Sequence, residues 1–316
     1  MGASRPFLLL AGGSNVVIAD AGFPGTVVLV RTSGVRIADV EADGGDVRLT
    51  VEAGHPWDDV VAEAVDAGLA GIECLSGIPG SAGATPMQNV GAYGQEVAEV
   101  IESVRVLDRD TDTVREMTAA ECDFSYRSSV FKHKDRWVVL AVTFRLRRSP
   151  LSVPLRYAEL ARTLGVATGD RAPLAEVRAA VLGLRAGKGM VLDAADPDTY
   201  SVGSFFINPV LDKAAFAALQ VRAEQVTGSP PAAWPAEDGS VKVSAAWLIE
   251  RAGYAKGFDG GQPGVAVSGK HTLALTNRGT GTTTALLALA RDIRDGVARR
   301  FGVALHPEPV LVRCSL

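Results

Sequence analysis

The sequence predicts an α+β protein of two or three domains, and three observations carry that prediction. A chain of 316 residues is long for a single hydrophobic core. Strand-like and helix-like stretches follow one another without the regular βαβ rhythm of a parallel sheet. Leu146-Arg-Arg-Ser-Pro150 then breaks the pattern, and a polar, helix-like stretch runs to about Lys188. Hydrophobic residues at 47% and charged residues at 22% leave enough apolar surface for a sizeable core.

The elements follow in order. Val27 to Val30 is a continuous apolar run. Val47, Leu49 and Val51 alternate with Arg48, Thr50 and Glu52, the period of a strand with one buried face. His55-Pro56 opens a helix through Val60, Val61, Ala64 and Val65 that Gly68 stops, because proline suits a first turn and glycine an end. Trp137 to Leu146 reads as a strand. Beyond the helical stretch, Ser244 is the candidate N-cap of a helix to Arg251, and strands are expected at Val265–Val267 and Leu273–Leu275. Leu286, Leu289, Ile293, Val297 and Phe301 then share one face of a long helix ended by Gly302. No internal repeat or low-complexity tract interrupts the chain.

Several function classes are excluded at this level. A formal net charge of -4 gives no basic footprint for nucleic acid, and no segment collects Lys and Arg for a membrane surface. No stretch approaches the roughly 20 apolar residues of a membrane span. Cys74, Cys122 and Cys314 are scattered, which fits a reducing cytosol and a cytoplasmic protein better than a disulfide framework. His55, His133, His271 and His306 show no ligand spacing, so no metal is expected.

Two glycine-rich segments are candidates for chemistry. Gly12-Gly-Ser-Asn15 follows the apolar run Leu8–Leu10. The second, Gly77-Ile-Pro-Gly-Ser-Ala-Gly-Ala-Thr-Pro-Met-Gln-Asn-Val-Gly-Ala-Tyr-Gly94, holds five glycines and two prolines, too many for a regular helix or strand. Such a loop lets backbone N–H groups approach a phosphate without Cβ obstruction, although glycine content alone favours a tight structural loop. Its glycines miss the GxGxxG fingerprint of dinucleotide folds. Gly264-Val-Ala-Val-Ser-Gly-Lys-His271 mimics a phosphate-binding P-loop, but His271 stands where Ser or Thr is needed and a strand follows.

These two segments join others in a fixed order: Ser125-Tyr-Arg-Ser-Ser129, Arg185-Ala-Gly-Lys-Gly189, Gly203-Ser-Phe-Phe-Ile-Asn-Pro209 and His306-Pro-Glu-Pro309. Lys242-Val-Ser-Ala-Ala-Trp-Leu-Ile-Glu250 and Ser268-Gly-Lys-His271 extend the series. Together, from Leu8 to Val312, they resemble the bacterial UDP-N-acetylenolpyruvoylglucosamine reductase family, in its branch with a tyrosine loop. The resemblance implies an FAD-binding region of two α+β subdomains, non-Rossmann and vanillyl-alcohol-oxidase-like, plus a C-terminal α+β substrate-binding domain. The implied boundaries are 1–148 for the FAD region, 149–188 for a connecting segment with the tyrosine loop, and 189–316 for the substrate domain, whose last residues return to the FAD region. The implied activity is NADPH-dependent, FAD-mediated reduction of UDP-N-acetylglucosamine enolpyruvate to UDP-N-acetylmuramate for peptidoglycan.

The resemblance also assigns residues. Gly12, Gly13, Ser14 and Asn15 belong to the FAD site, as do Ile78, Pro79, Gly80, Ser81, Gly83, Ala84, Gln88, Asn89, Gly91, Ala92, Tyr93 and Gly94. Three residues match the family's catalytic set. Arg127 would fix the carboxylate toward which negative charge builds, since a guanidinium is always charged and forks onto carboxylates. Ser204 would donate the proton, and Glu308 would complete the set. Tyr157, Lys188, Asn208 and His271 match substrate-side positions. The expected partner is a small-molecule sugar nucleotide, with no nucleic acid or membrane; the oligomeric state stays open, and a monomer is the simplest expectation. Two rivals stay open as well: another FAD-dependent oxidoreductase of this fold, and a non-catalytic flavin- or nucleotide-binding relic. Ile207 replaces a residue that is often polar in the family. Members usually carry roughly forty more residues before the Gly-Gly-Ser-Asn turn. A late start or a reduced flavin subdomain is therefore expected, with folding and FAD affinity at stake.

Overall fold

The computed structural model of the chain describes residues 6–40, 45–236 and 239–316. Met1 to Arg5, on which the expectation about the start rests, lie outside the described residues. The chain divides into two compact units, Met1–Gly13 with Gly25–Val191 and Ser14–Pro24 with Leu192–Leu316.

The first unit begins with β1 (Phe7–Leu10); β2 (Val16–Ile18) belongs to the second, and β3 (Thr26–Leu29) runs parallel to β1. The main sheet comprises β4 (Val35–Asp39), β5 (Asp46–Glu52), β6 (Leu69–Ala70) and three later strands. On β5 the expected alternation holds: Val47, Leu49 and Val51 have no exposure while Arg48 faces out. Helix α1 (Trp57–Asp66) follows and turns Trp57, Val60, Val61, Ala64 and Val65 inward. A short hairpin of β7 (Gly91–Ala92) and β8 (Gln95–Glu96) precedes β9 (Ile101–Asp108), β10 (Thr113–Thr118) and β11 (Trp137–Arg148). The sheet order is β10-β9-β11-β5-β4, with β6 on the end of β11 and every pairing antiparallel. Trp57 anchors α1 to this sheet: its ring meets Phe144 at 5.5 Å and its Nε1–H donates to the Leu75 carbonyl at 3.2 Å. Helices α2 (Ala158–Thr163) and α3 (Leu174–Gly187) enclose a smaller core around Leu160, Val177 and Val181.

The second unit contains β12 (Ser201–Ser204), β13 (Val210–Leu211), α4 (Lys213–Thr227), β14 (Ala233–Pro235), β15 (Val241–Val243) and α5 (Ala245–Arg251). It closes with β16 (Val265–Val267), β17 (Ala274–Asn277), α6 (Thr283–Phe301) and β18 (Val310–Val312). Ser244 caps α5 by accepting from the Trp247 N–H, and Gly302 ends α6 in the left-handed conformation at φ +72°. Leu289, Ile293, Val297 and Phe301 pack into the core from α6. The P-loop mimic forms β16 and the turn into β17, so a strand and not a helix follows its lysine, which removes the nucleotide-triphosphatase reading.

Residues 14–24 belong to the second unit for a clear reason. Strand β2 pairs in parallel with β18, and the Asp20 carboxylate accepts from the N–H groups of Thr283 and Thr284 at the start of α6. The Thr284 hydroxyl bonds it as well, and these bonds hold the Asp20 carboxyl below its ordinary range. Among the described residues no helix is long and apolar enough to cross a membrane. Cys74 and Cys122 are buried, and burial pushes the Cys122 thiol up to about 12, so neither is a reactive thiolate.

We predict that Trp57→Ala destabilises the first unit by about 3 to 5 kcal/mol, by lost burial and the cavity left under α1. Urea unfolding monitored by circular dichroism measures this.

Candidate active site

The glycine-rich loop of the first unit is built on α1 and β5. After Gly77 it runs irregularly and then tightens into a 3-10 helix from Ala82 to Gln88. Gly83 packs so closely on Ala53 that an added Cβ would stand 2.5 Å from the Ala53 Cβ, which no larger residue tolerates. Backbone bonds from Trp57 N–H to Gly80 O and from Ala82 N–H to His55 O fasten the loop to the start of α1. Asp58 holds the entry: it accepts from the Gly77 N–H at 2.5 Å and receives both nitrogens of the Arg178 fork at 2.7 and 2.9 Å. Burial alone would raise the Asp58 pKa, but the Arg178 bonds and the Gly77 N–H outweigh it and hold the carboxyl below its usual range. Arg185 completes the anchor by donating to the Gly77 and Met190 carbonyls; burial pushes its guanidinium down from its ordinary value.

This loop has the chemistry of a phosphate cradle. Gly12 approaches it so closely that a Cβ there would lie 3.1 Å from the Gly80 Cα. The N–H groups of Gly13, Gly80 and Ser81 donate to no described residue, leaving them for an anionic ligand. The residues therefore fit the diphosphate of an FAD.

Three of the expected site residues hold a left-handed backbone despite their side chains: Asn89 at φ +45°, Tyr93 at φ +49° and Arg127 at φ +55°. Such residues cost roughly 1 kcal/mol or more each and persist where the surroundings over-determine them. Here the bonds are explicit. Asn89 gives its Nδ2 to Glu96 at 2.7 Å and to the Ser125 carbonyl at 3.2 Å, and its Oδ1 accepts from the Ala98 N–H. Its side chain is thus committed to the protein, which leaves the backbone for any cofactor contact. Arg127 donates to the Gly91 carbonyl at 2.7 Å and the Asn89 carbonyl at 3.3 Å, with Glu96 at 3.7 Å. Its charge is thereby tied to the far end of the loop. Sequence reasoning passed over Glu96, Asp58, Arg178 and Arg185's anchoring role; for Glu96 alone a signal existed, its place directly after Gly94-Gln95.

Tyr157 and Lys188 meet in the same unit. Tyr157 sits at the N-cap of α2 and packs edge-on against Tyr93, with ring centroids 5.4 Å apart. The Lys188 ammonium lies 2.7 Å from Glu159 and 5.7 Å from the Tyr93 ring. Burial would lower the Lys188 pKa, but Glu159 and the two tyrosines raise it overall, so the lysine stays charged.

In the second unit Ser204 ends β12, opposite Ala274 of β17, and its hydroxyl lies 3.4 Å from His271 Nε2. Pro307 bridges to Phe206, and the Glu308 N–H donates to the Phe205 carbonyl at 2.8 Å, so the Glu308 segment runs alongside the Ser204 segment. Asn208 uses its Oδ1 to accept the Ala245 N–H at the start of α5. Ser204, at the end of β12, thus has His271 of the β16–β17 turn and the Glu308 segment beside it, Asn208 lies further along the same unit, and Arg127 stands in the other. Among the described residues no cluster of His, Cys, Asp or Glu offers a metal site.

The antiparallel sheet, the glycine-rich cradle and the second α+β unit define a flavin-binding oxidoreductase of the non-Rossmann kind. Comparisons agree. Residues 2–117 match the FAD binding domain profile, and residues 196–312 match the C-terminal domain of UDP-N-acetylenolpyruvoylglucosamine reductase. The UDP-N-acetylenolpyruvoylglucosamine reductase of Salinispora arenicola is 66% identical over 98% of this chain and 84% of its own length. That of Thermobifida fusca is 57% identical over 98% of this chain and 87% of its own. The crystal structure of the Thermus caldophilus UDP-N-acetylenolpyruvylglucosamine reductase shares the fold, with TM-score 0.63, 22% identity, and 98% and 86% coverage. The chain belongs to the UDP-N-acetylenolpyruvoylglucosamine reductase family.

Asp58→Asn is predicted to loosen the Gly77 entry and cost about 1 to 2 kcal/mol, given the partial exposure of the pair. Because the Asp58 pKa is lower in the folded state, the ion pair contributes fully above the ordinary aspartate pKa and is lost as pH falls through the folded value. The gap in unfolding midpoint between wild type and Asp58→Asn should therefore stay level above about pH 4 and narrow as pH falls below it; a gap that does not narrow there would refute the role of the charge.

Proposed function

We propose that the chain reduces UDP-N-acetylglucosamine enolpyruvate to UDP-N-acetylmuramate, with NADPH as reductant, in cytoplasmic peptidoglycan precursor synthesis. When bound, FAD supplies the redox chemistry, carrying a hydride from NADPH to the enolpyruvyl double bond. The protein's own residues bind, orient and move the proton. Gly12, Gly13 and the loop from Ile78 to Gly94 hold the diphosphate through backbone N–H groups, and Ser14 and Asn15 continue that contact. The Arg127 guanidinium stabilises the negative charge that builds toward the substrate carboxylate. Ser204 gives its hydroxyl proton to the adjacent carbon, a task open to so weak an acid only because that carbon is strongly basic. Glu308, in its protonated form, donates a hydrogen bond to the enolate that forms there.

Tyr157, on the proposed tyrosine loop, covers the substrate, Lys188 serves the diphosphate of the sugar nucleotide or the nicotinamide cofactor, and Asn208 offers its amide to the uracil end. Residues 1–148 serve as the FAD region, 149–188 as the connection and 189–316 as the substrate domain, acting as a monomer without nucleic acid or membrane. The observation that carries this reading is the backbone bridge that sets Glu308 alongside Ser204, with Glu308 N–H to Phe205 O at 2.8 Å.

Ser204→Ala should leave reduction of the bound flavin by NADPH intact and slow its reoxidation by the sugar nucleotide about 10²-fold or more. Stopped-flow absorbance of the flavin separates the two half-reactions, and unchanged reoxidation would remove Ser204 as the proton donor.

A further inference from the structure

A serine that has given up its proton must recover one before the next turnover, and the reading above leaves the source unnamed. The Ser204 hydroxyl has one side-chain hydrogen-bond partner among the described residues, His271 Nε2 at 3.4 Å. Imidazole is the side chain whose ordinary pKa lets it both carry and release a proton near neutral pH. We propose that His271 is the positioning and relay residue that returns a proton to Ser204, an inference that rests on the reductase reading.

The structure builds the support such a relay needs. His271 closes the turn between β16 and β17, where the Ser268 hydroxyl accepts from the N–H groups of both Lys270 and His271, at 3.0 and 3.2 Å. The His271 carbonyl accepts from Ala274 N–H at 2.9 Å, and Phe205 N–H donates to Leu273 O at 2.7 Å. Asp198 accepts the Gly269 N–H at 2.9 Å, so the turn is fixed on its other side as well. Register across β12 and β17 then carries the imidazole to Ser204. The charged groups around the turn are already matched or bonded. Lys270 pairs with Asp196, Arg278 with Asp198, and Thr272 donates to Glu250, while the backbone of Glu308 is fixed on Phe205 beside the serine.

The step balances. The Ser204 O–H bond breaks as the new C–H bond of the product forms, and in the same movement the Nε2–H of the imidazolium breaks to restore the hydroxyl, so no free alkoxide forms and loss of the imidazolium slows the proton delivery itself. The neutral imidazole then takes one proton from water. One proton enters per turnover, as reduction of a C=C bond by NADPH requires. The relay works only while the imidazole carries its second proton.

Stopped-flow kinetics on the FAD-loaded enzyme tests this. His271→Asn should leave flavin reduction by NADPH unchanged and slow reoxidation by UDP-N-acetylglucosamine enolpyruvate about 10²-fold, with added imidazole restoring part of the rate. The wild-type reoxidation rate should fall with rising pH between about pH 5 and 8, and the variant rate should stay flat. Wild-type rate and pH profile in His271→Asn would overturn the relay, as would a change confined to the substrate concentration needed for half-maximal rate, which marks a substrate contact only. Should wild type itself show no reoxidation by the sugar nucleotide, the reductase reading falls, and the relay with it. The wild-type pH profile needs no substitution, so a variant that fails to fold does not shield the proposal. In ligand-free protein, Ser204→Ala should move the His271 imidazole ¹⁵N resonances; unmoved resonances would show that the pair does not interact.

Discussion

The packing of a glycine-rich backbone against α1 and β5 is the constraint from which the first unit's site follows. Gly83 stands where a Cβ would collide with Ala53, so the loop can lie flat on the sheet only with glycine there. Once seated, it needs both ends held. Asp58 and Arg178 hold the entry, Arg185 braces it, and Glu96, Asn89 and Arg127 tie the exit. The Arg178–Asp58 fork and the Asn89–Glu96 bond are charge-assisted and only partly exposed, which places them among the stronger hydrogen bonds available to a protein. Left-handed backbone at Asn89, Tyr93 and Arg127 is the strain that these bonds maintain.

The second unit obeys a different constraint, the return of the chain's two remote segments to one place. Strand β2 and strand β18 pair in parallel, and Asp20 supplies the N-terminal hydrogen bonds of α6. Glu308 lies just before β18, so that pairing also fixes where the Glu308 segment runs beside Phe205 and Phe206. The two phenylalanines are buried, and Ser204 immediately precedes them. Core packing and chemistry therefore share one strand: the apolar pair locks the backbone that presents the hydroxyl.

Much of this was legible in the sequence where local rules decide the outcome. The alternation on β5, the proline-opened helix α1, the Ser244 cap and the Gly302 stop are each written within a few residues, and each is found. The strands around the hairpin at His271 were legible to within a residue or two. Other features depend on partners far along the chain. Asp58 and Arg178 are 120 positions apart, and no local pattern announces their pairing. The apolar run at Val27–Val30 supplies most of β3, yet Val27, Val28 and Leu29 are exposed, because among the described residues β3 pairs with β1 alone and no core cluster includes them. The loop was legible as irregular but not as a 3-10 helix, whose bonds depend on how it seats on Ala53. The left-handed backbone of Arg127 follows from the carbonyls it must reach, a demand made by the fold and not by its neighbours in sequence.

The most direct measurement of the central claim is NADPH consumption by the purified, FAD-supplemented protein with and without UDP-N-acetylglucosamine enolpyruvate. The account predicts oxidation that depends on the sugar nucleotide and yields UDP-N-acetylmuramate in equal amount. NADPH oxidation indifferent to the sugar nucleotide, or none from a protein that retains FAD, would contradict it.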